Sequence, residues 1–158
     1  MRVLICSDTH RRHDNYLKVV EKEGPFDFLI HCGDTEGGEY LIHEAAGCPC
    51  EIVMGNNDFF SDLPRERIFH LGGRTVWVTH GHNYYVSLNT AMLKEEARTK
   101  GANVVMFGHT HRPLMEDGSV MCVNPGSLSY PRQANHKPSY IVLEIDENDH
   151  WNMEIKYL

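Results

Sequence analysis

Two aspartates, one asparagine and five histidines are the residues of this chain whose types and spacing can do chemistry together. They fall in five short blocks: Asp8-Thr9-His10, Gly33-Asp34, Gly55-Asn56, His80-Gly81-His82 and Gly108-His109-Thr110-His111. Each block ends an apolar run of strand length. Histidine is the commonest protein metal ligand near neutral pH. Carboxylates mixed with imidazoles, without a thiolate pattern, suit manganese, iron, cobalt, nickel or zinc better than calcium or magnesium. Singly, each block has an ordinary reading. Asp after a strand caps helices and makes turns, Asn56 fills a turn, His82 lies on the surface, and the glycines serve turns. Five such blocks at five strand ends point instead to one shared centre. Seven ligands exceed one ion and suit two, the clamp that phosphoester hydrolysis uses, with one carboxylate as the bridge.

The elements that position these blocks follow from periodicity and punctuation. Residues 2–6 form a buried strand running into Asp8. Asp14 caps a helix with Leu17 and Val20 on its inner face, stopped by Gly24-Pro25. Phe26 to Ile30 is a second apolar run, a helix carrying Leu41, Ile42 and Ala45 stops near Gly47, and Glu51 to Met54 is a third run. Strands alternating with helices predict a parallel α/β sheet, whose ligands bind outside the carboxyl ends of the strands. Further on, Arg67–Leu71 and Arg74–Thr79 flank Gly72-Gly73 as a hairpin. A helix covers Ser87 to Lys100 with Gly101 past its end, and a strand covers 103–107. Asp117-Gly118 splits a second hairpin, and Tyr140–Ile145 is a strand. Trp151, Met153, Ile155 and Tyr157 alternate with polar residues, giving a last strand with one buried face. The whole predicts an α/β fold of two packed mixed sheets with helices outside.

Composition bounds the function. A chain of 158 residues reads as a single domain over 1–158 with a proper core. The formal charge of −7 disfavours stable nucleic-acid binding, which needs a basic face. No apolar run reaches membrane-spanning length, so no membrane partner is expected. Met1 to Cys6 reads as a strand rather than a signal peptide. Five cysteines without regular spacing fit a reducing, cytoplasmic setting, and Cys48-Pro49-Cys50 has no second pair to close a zinc clip. Edge strands in a two-sheet fold can support an oligomer.

With these blocks assembled, the chain resembles the calcineurin-like metallophosphoesterase superfamily, and within it the small single-domain bacterial and archaeal phosphodiesterases. The blocks match the family's D-x-H, G-D, G-N-x-D, H-G-H and G-H-x-H in the same order, across residues 2 to about 146. Asn124-Pro125-Gly126-Ser127 also resembles a downstream segment of these small members. The resemblance implies a four-layer α/β/β/α sandwich and two divalent transition-metal ions, manganese foremost, with nickel, cobalt, iron or zinc as alternatives. Carried over by residue, one ion is held by Asp8, His10, Asp34 and His111, the other by Asp34, Asn56, His80 and His109. The implied reaction is hydrolysis of a small phosphodiester by direct attack of a water or hydroxide bridging the metals. Asp34, Asn56 and His82 would be the residues nearest the chemistry. Many members carry a histidine general acid directly after the asparagine; here that position is Asn57. Two alternatives are a protein-interaction scaffold of the same fold, which in relatives accompanies lost ligands, and a nuclease, which usually brings added domains and basic surface.

Overall fold

The computed structural model describes residues 1–158. The first half of the chain forms β1 (Arg2–Cys6), α1 (Asp14–Glu23), β2 (Phe28–His31), α2 (Glu39–Ala46), β3 (Cys50–Ile52), β4 (Glu66–Leu71) and β5 (Arg74–Thr79). The second half forms a 3-10 turn at His82–Tyr84, α3 (Ala91–Thr99), β6 (Val104–Met106), β7 (Pro113–Glu116), β8 (Met121–Pro125), β9 (Ser139–Ile145) and β10 (Trp151–Tyr157). Two five-stranded sheets result, in the orders β10-β9-β1-β2-β3 and β4-β5-β6-β8-β7. In the first, β1, β2 and β3 are parallel and β9 and β10 add antiparallel strands. In the second, β5, β6 and β8 are parallel, flanked by antiparallel β4 and β7. Both expected hairpins form, across Gly72-Gly73 and across Asp117-Gly118.

The alternation of side chains along each strand divides the apolar residues among three layers. Val3 and Ile5 of β1 face inward with Ile30, Val76, Val78, Val104, Met106 and Ile141, filling the space between the sheets. Leu4 and Cys6 of the same strand face outward, where Tyr16, Val19 and Ile42 of α1 and α2 cover them. On the opposite outer face, Leu93 and Ala97 of α3 pack on Trp77, Val105 and Cys122. The architecture is therefore helix, sheet, sheet, helix. Central strands buried on both faces explain why their sequences are continuous apolar runs. No helix is long and apolar enough to cross a membrane. All five cysteines are free thiols.

Five local expectations are corrected. Asp14 is the first helical residue of α1 rather than its cap; His13 holds the cap position without a side-chain bond. The buried face of α1 is Tyr16, Val19 and Glu23, while Leu17 is exposed and Val20 only half-buried. A glutamate on that stripe disguised it: Glu23 is buried because Arg2, Lys156 and the Tyr140 hydroxyl all donate to its carboxylate. In α2 the inner residues are Ile42 and Ala46, with Leu41 exposed. The third helix begins at Ala91, not Ser87, because residues 85–88 form a turn closed by the Leu88 N–H on the Tyr85 carbonyl, and Asn89 Oδ1 then accepts the Ala91 N–H. Along β10, Trp151, Met153 and Ile155 pack on the central core, but Tyr157 is exposed.

The loops at the strand ends press against one another closely enough to exclude a methyl group. A Cβ on Gly108, after β6, would collide with Ser7 Oγ and stand 2.7 Å from Asp8 Oδ2. A Cβ on Gly55 would collide with the Asp34 carboxylate. These two glycines are required by close approach between loops, whereas the sequence suggested only turns. Gly108→Ala should cost about 1–3 kcal/mol of stability, as overpacked sites do. Gly118→Ala, whose nearest neighbour is 3.6 Å away, should be close to neutral. Urea unfolding of the two variants compares them directly; equal midpoints would refute the close-approach account.

Candidate metal centre

All seven residues expected as ligands converge at one edge of the two sheets. Five of them hold backbone conformations that L-residues seldom adopt, with φ of 55° at Asp8, 43° at His10, 59° at Asp34, 67° at His109 and 57° at His111. Asp, Asn and His tolerate this region best among non-glycine residues. Each instance still costs on the order of 1–3 kcal/mol, and such strain concentrates at functional sites.

The second nitrogen of each buried histidine fixes what the first can do. His111 Nδ1 lies 2.8 Å from the carbonyl of Tyr130, and His80 Nδ1 lies 2.7 Å from the carbonyl of Cys32. A carbonyl only accepts, so both Nδ1 atoms carry the proton. His10 Nδ1 is 2.6 Å from Glu36 Oε1, another acceptor. In the neutral rings all three Nε2 atoms are therefore bare lone pairs, and all three point inward. His10 and His111 Nε2 face each other at 3.2 Å, and Asp8 Oδ1 is 3.1 Å from the latter and 3.7 Å from the former. His80 Nε2 is 3.1 Å from Asn56 Oδ1 and 3.4 Å from Asp34 Oδ2. His109 Nδ1 meets the same Asn56 oxygen at 2.9 Å. Asp34 Oδ2 reaches both groups, 3.7 Å from His10 and 3.4 Å from His80. Asp8 Oδ1 does so too, 4.0 Å from His80. That Asp8 oxygen is buried and has no hydrogen-bond donor. Lone pairs facing lone pairs, around an orphaned buried carboxylate oxygen, fit divalent cations of the borderline class.

Titration tendencies follow the same geometry. Burial would raise the Asp8 carboxyl, but the neighbouring His10, His111 and His80 imidazoles, when they carry protons, outweigh it and hold the group below the usual carboxylate range. Burial likewise opposes ionisation of Asp34, yet His80 and Asn57 bring it down to about 2. Burial pushes the His10 imidazole down, while Asp8 and Glu36 override it and raise it to about 9. His80 is raised despite its burial, by Asp34 and Asp8. His109 and His82 move the other way, depressed by burial and then by the charge of His80. Two buried carboxylates thus demand countercharge, and protons on His10 and His80 can supply it.

Several supports were not anticipated from the sequence. Asp58 is 4% exposed, and its two oxygens accept the backbone N–H groups of Asp34, Glu36 and Gly55 and the Thr35 hydroxyl. It staples the loop after β2 to the loop after β3. Asn124 donates to the Gly108 carbonyl and to Thr110 Oγ1, and Ser127 Oγ donates to the Asp8 carbonyl. These contacts give the Asn124–Ser127 segment its role in tying the β1 and β6 ends together. Glu36 orients His10 from outside, an arrangement that fixes the ring and raises ligand basicity. The signal for Asp58 lay in the G-N-x-D block, but nothing in one sequence shows which turn amides it gathers.

Asn57 does not stand free where a general acid would. Its backbone N–H donates to Asp34 Oδ1 at 2.8 Å and its amide to Asp34 Oδ2 at 2.7 Å. His82 is the histidine of the set with both ring nitrogens unclaimed. It is exposed, 5.5 Å from the His80 ring and 6.1 Å from that of His109, centroid to centroid. Around the rim stand Arg12, stacked 4.9 Å over Tyr130, Arg112 and Arg132, joined through a backbone carbonyl, and Arg65 beside His82. None of these four is ion-paired. In a chain of charge −7 they make the mouth of the site locally attractive to anions.

Comparison with known proteins agrees with this geometry. A family model for the calcineurin-like phosphoesterase superfamily domain matches residues 1–148. The probable metallophosphoesterase YsnB of Bacillus subtilis is 36% identical over 94% of this chain and 86% of its own. A phosphodiesterase of Methanocaldococcus jannaschii is 28% identical over 80% of this chain and 83% of its own. Among solved structures, a predicted phosphoesterase from Streptococcus pneumoniae superposes with a TM-score of 0.82 at 27% identity, covering 99% of this chain and 88% of that one. Zinc-bound Vps29 of Entamoeba histolytica, at 21% identity and a TM-score of 0.79 over 99% of both chains, shares the fold. With the strand-end blocks, the sandwich and these matches in agreement, the chain belongs to the calcineurin-like phosphoesterase superfamily.

Proposed function

We propose that the protein is a metal-dependent phosphodiesterase that hydrolyses small phosphodiesters with two divalent transition-metal ions, manganese foremost. The observation that carries this is the set of inward lone pairs on His10, His80 and His111 around the orphaned Asp8 Oδ1, with Asp34 Oδ2 between the two groups. One ion would be held by Asp8, His10, Asp34 and His111, the other by Asp34, Asn56, His80 and His109. Cations bound there supply Lewis acidity and a nucleophile at neutral pH. The rest falls to the chain's own groups. The rim arginines draw the anionic substrate inward. Glu36, Tyr130 and Cys32 hold three imidazoles in the tautomer that leaves Nε2 free. His82, exposed beside the His80 ring with both ring nitrogens unclaimed, offers an N–H to the phosphoryl or leaving oxygen. Asn57 positions Asp34 by two hydrogen bonds and contributes no proton. The phosphodiesterase named above supports the substrate class. The complete donor set argues against a scaffold alone, and the charge of −7 against a nuclease. Five free thiols fit a reducing cytoplasm.

Asp34→Asn removes charge from the group that faces both histidine sets. It should lose bound metal by elemental analysis and activity by several orders of magnitude, as when other site groups are lost. Asp27→Asn, an exposed carboxylate that accepts the Arg2 N–H, should be mild. Equal losses in the two variants would sink the bridging role.

The pH response has opposite signs for stability and metal uptake. His10 lies above its ordinary value, at about 9. Its contribution to the metal-free protein is complete below about 6.5 and lost as pH rises through about 9. Ligand histidines must shed those protons to coordinate. The melting temperature in chelator should therefore fall from pH 6.5 to 9 while manganese affinity by calorimetry rises. A flat affinity over that range would contradict the ligand assignment.

His82→Ala should lower kcat/KM by about 10²-fold for alkyl leaving groups, the low end of acid assistance. An activated phenolate should be affected much less. A leaving-group series on both proteins measures this, and identical slopes would remove His82 from the reaction.

A further inference from the structure

The loop between β3 and β4 carries two adjacent phenylalanines that no core claims. Phe59 is 75% exposed, and Phe60, the most exposed large apolar residue of the chain, is fully so at 107%. Phe60 also has a φ of 60°, a left-handed conformation that a bulky aromatic residue seldom adopts. Strain of this kind persists where a position has a task. The pair lines two hollows, and one of them reaches the candidate centre through Asn56. One, of about 380 Å³, is lined by Asn56, Phe59, Phe60, Arg65 and His82. The other, of about 370 Å³, is lined by Arg11, Glu36, Asn57 and the same two rings. The arginines differ. Arg11 is committed to Glu36, through Nε to Oε2 at 3.4 Å and to the Glu36 carbonyl at 3.1 Å. Arg65 is exposed, makes no ion pair and lines the same hollow as His82.

We infer that the hollow between Phe60 and His82 takes a planar aromatic group of the substrate, an aryl ring or a nucleobase, so that the preferred phosphodiesters carry one. The inference rests on the phosphodiesterase reading and adds the substituent. An exposed phenyl face offers stacking area to a flat ring and little to an alkyl chain. Arg65 adds a guanidinium, which both stacks on aromatic faces and pairs with phosphoryl oxygens. Asn56 lines the hollow while its Oδ1 meets His80 and His109, so a ring in the hollow would neighbour a phosphoryl group held at the proposed centre. A protein-contact surface is the competing reading of two exposed rings. The continuity of the hollow with Asn56 and His82 favours the substrate.

The test measures binding, so it stands apart from turnover. Calorimetry on manganese-loaded protein compares phenylphosphonate with methylphosphonate, and adenosine 5′-monophosphate with ribose 5-phosphate. Each pair shares its anionic group and differs in the planar substituent. The wild-type protein should prefer the aromatic member of at least one pair by about tenfold or more, within the range measured for base–aromatic stacking. Phe60→Ala, and more fully Phe59→Ala with Phe60→Ala, should bring that ratio close to one while leaving methylphosphonate affinity in place; Phe60→Trp should keep it. Preference in the first pair alone assigns an aryl ester, and preference in the second a nucleotide. No preference in either pair, or a preference that survives the double substitution, overturns the inference. So does an unchanged ratio accompanied by a shift in sedimentation on Phe60→Ala, which would make the loop a protein contact. Absence of turnover with every phosphodiester would overturn the proposed function and leave these ratios standing.

Discussion

Asp8 is the constraint on which the rest of the structure depends. Its carboxylate is fully buried, and Oδ1 has no donor. A buried unpaired charge is among the costliest features a fold can hold, so the surroundings must supply positive charge. They do so with imidazoles whose other nitrogens are already committed, to Tyr130, to Glu36 and to Cys32. Each ring can then turn only one face to the carboxylates. The cluster is short of positive charge, and protons on His10 and His80 or divalent cations meet the deficit at the same atoms.

Holding that cluster requires loops from both sheets to meet within hydrogen-bond reach. The two-sheet sandwich does this by ending β1, β2 and β3 of one sheet and β5 and β6 of the other at a common edge. Buried polar groups then bind the loops together. Asp58 gathers amides from two turns, Ser127 reaches the Asp8 carbonyl, and Asn124 reaches the Gly108 carbonyl. Missing side chains matter as much. Gly55 and Gly108 leave room for the Asp34 and Asp8 carboxylates that a methyl group would displace. Unfavourable backbone at five ligand positions is tolerated because these contacts over-determine it.

The centre and its rim divide the work. The centre is polar, buried and insensitive to what else a phosphoester carries. The rim is exposed, with unpaired arginines on several sides and an aromatic wall on one. The sandwich by itself does not decide activity, because one fold can host many functions. In this chain the complete donor set and the rim together point to a substrate rather than to a bare scaffold.

Sequence alone determined a good deal. The five blocks were legible because each couples a strand's apolar run to a glycine, Asp, Asn or His, a pattern set by local chemistry. Continuous apolar runs and turn dipeptides located both hairpins and the central strands, since burial on two faces and tight turns leave a direct imprint on residue type. Tertiary structure decided the remainder. The inward face of α1 was misjudged because Glu23 is buried by partners up to 133 residues away, a fact no local period contains. Asp58 resembled any turn aspartate until the amides it collects came from two separate loops. Asn57 looked like an absent acid, and proved to brace Asp34. Which oxygen faces which nitrogen, and which glycines must lack a methyl, depend on distances between segments that the chain brings together only when both sheets close over one core.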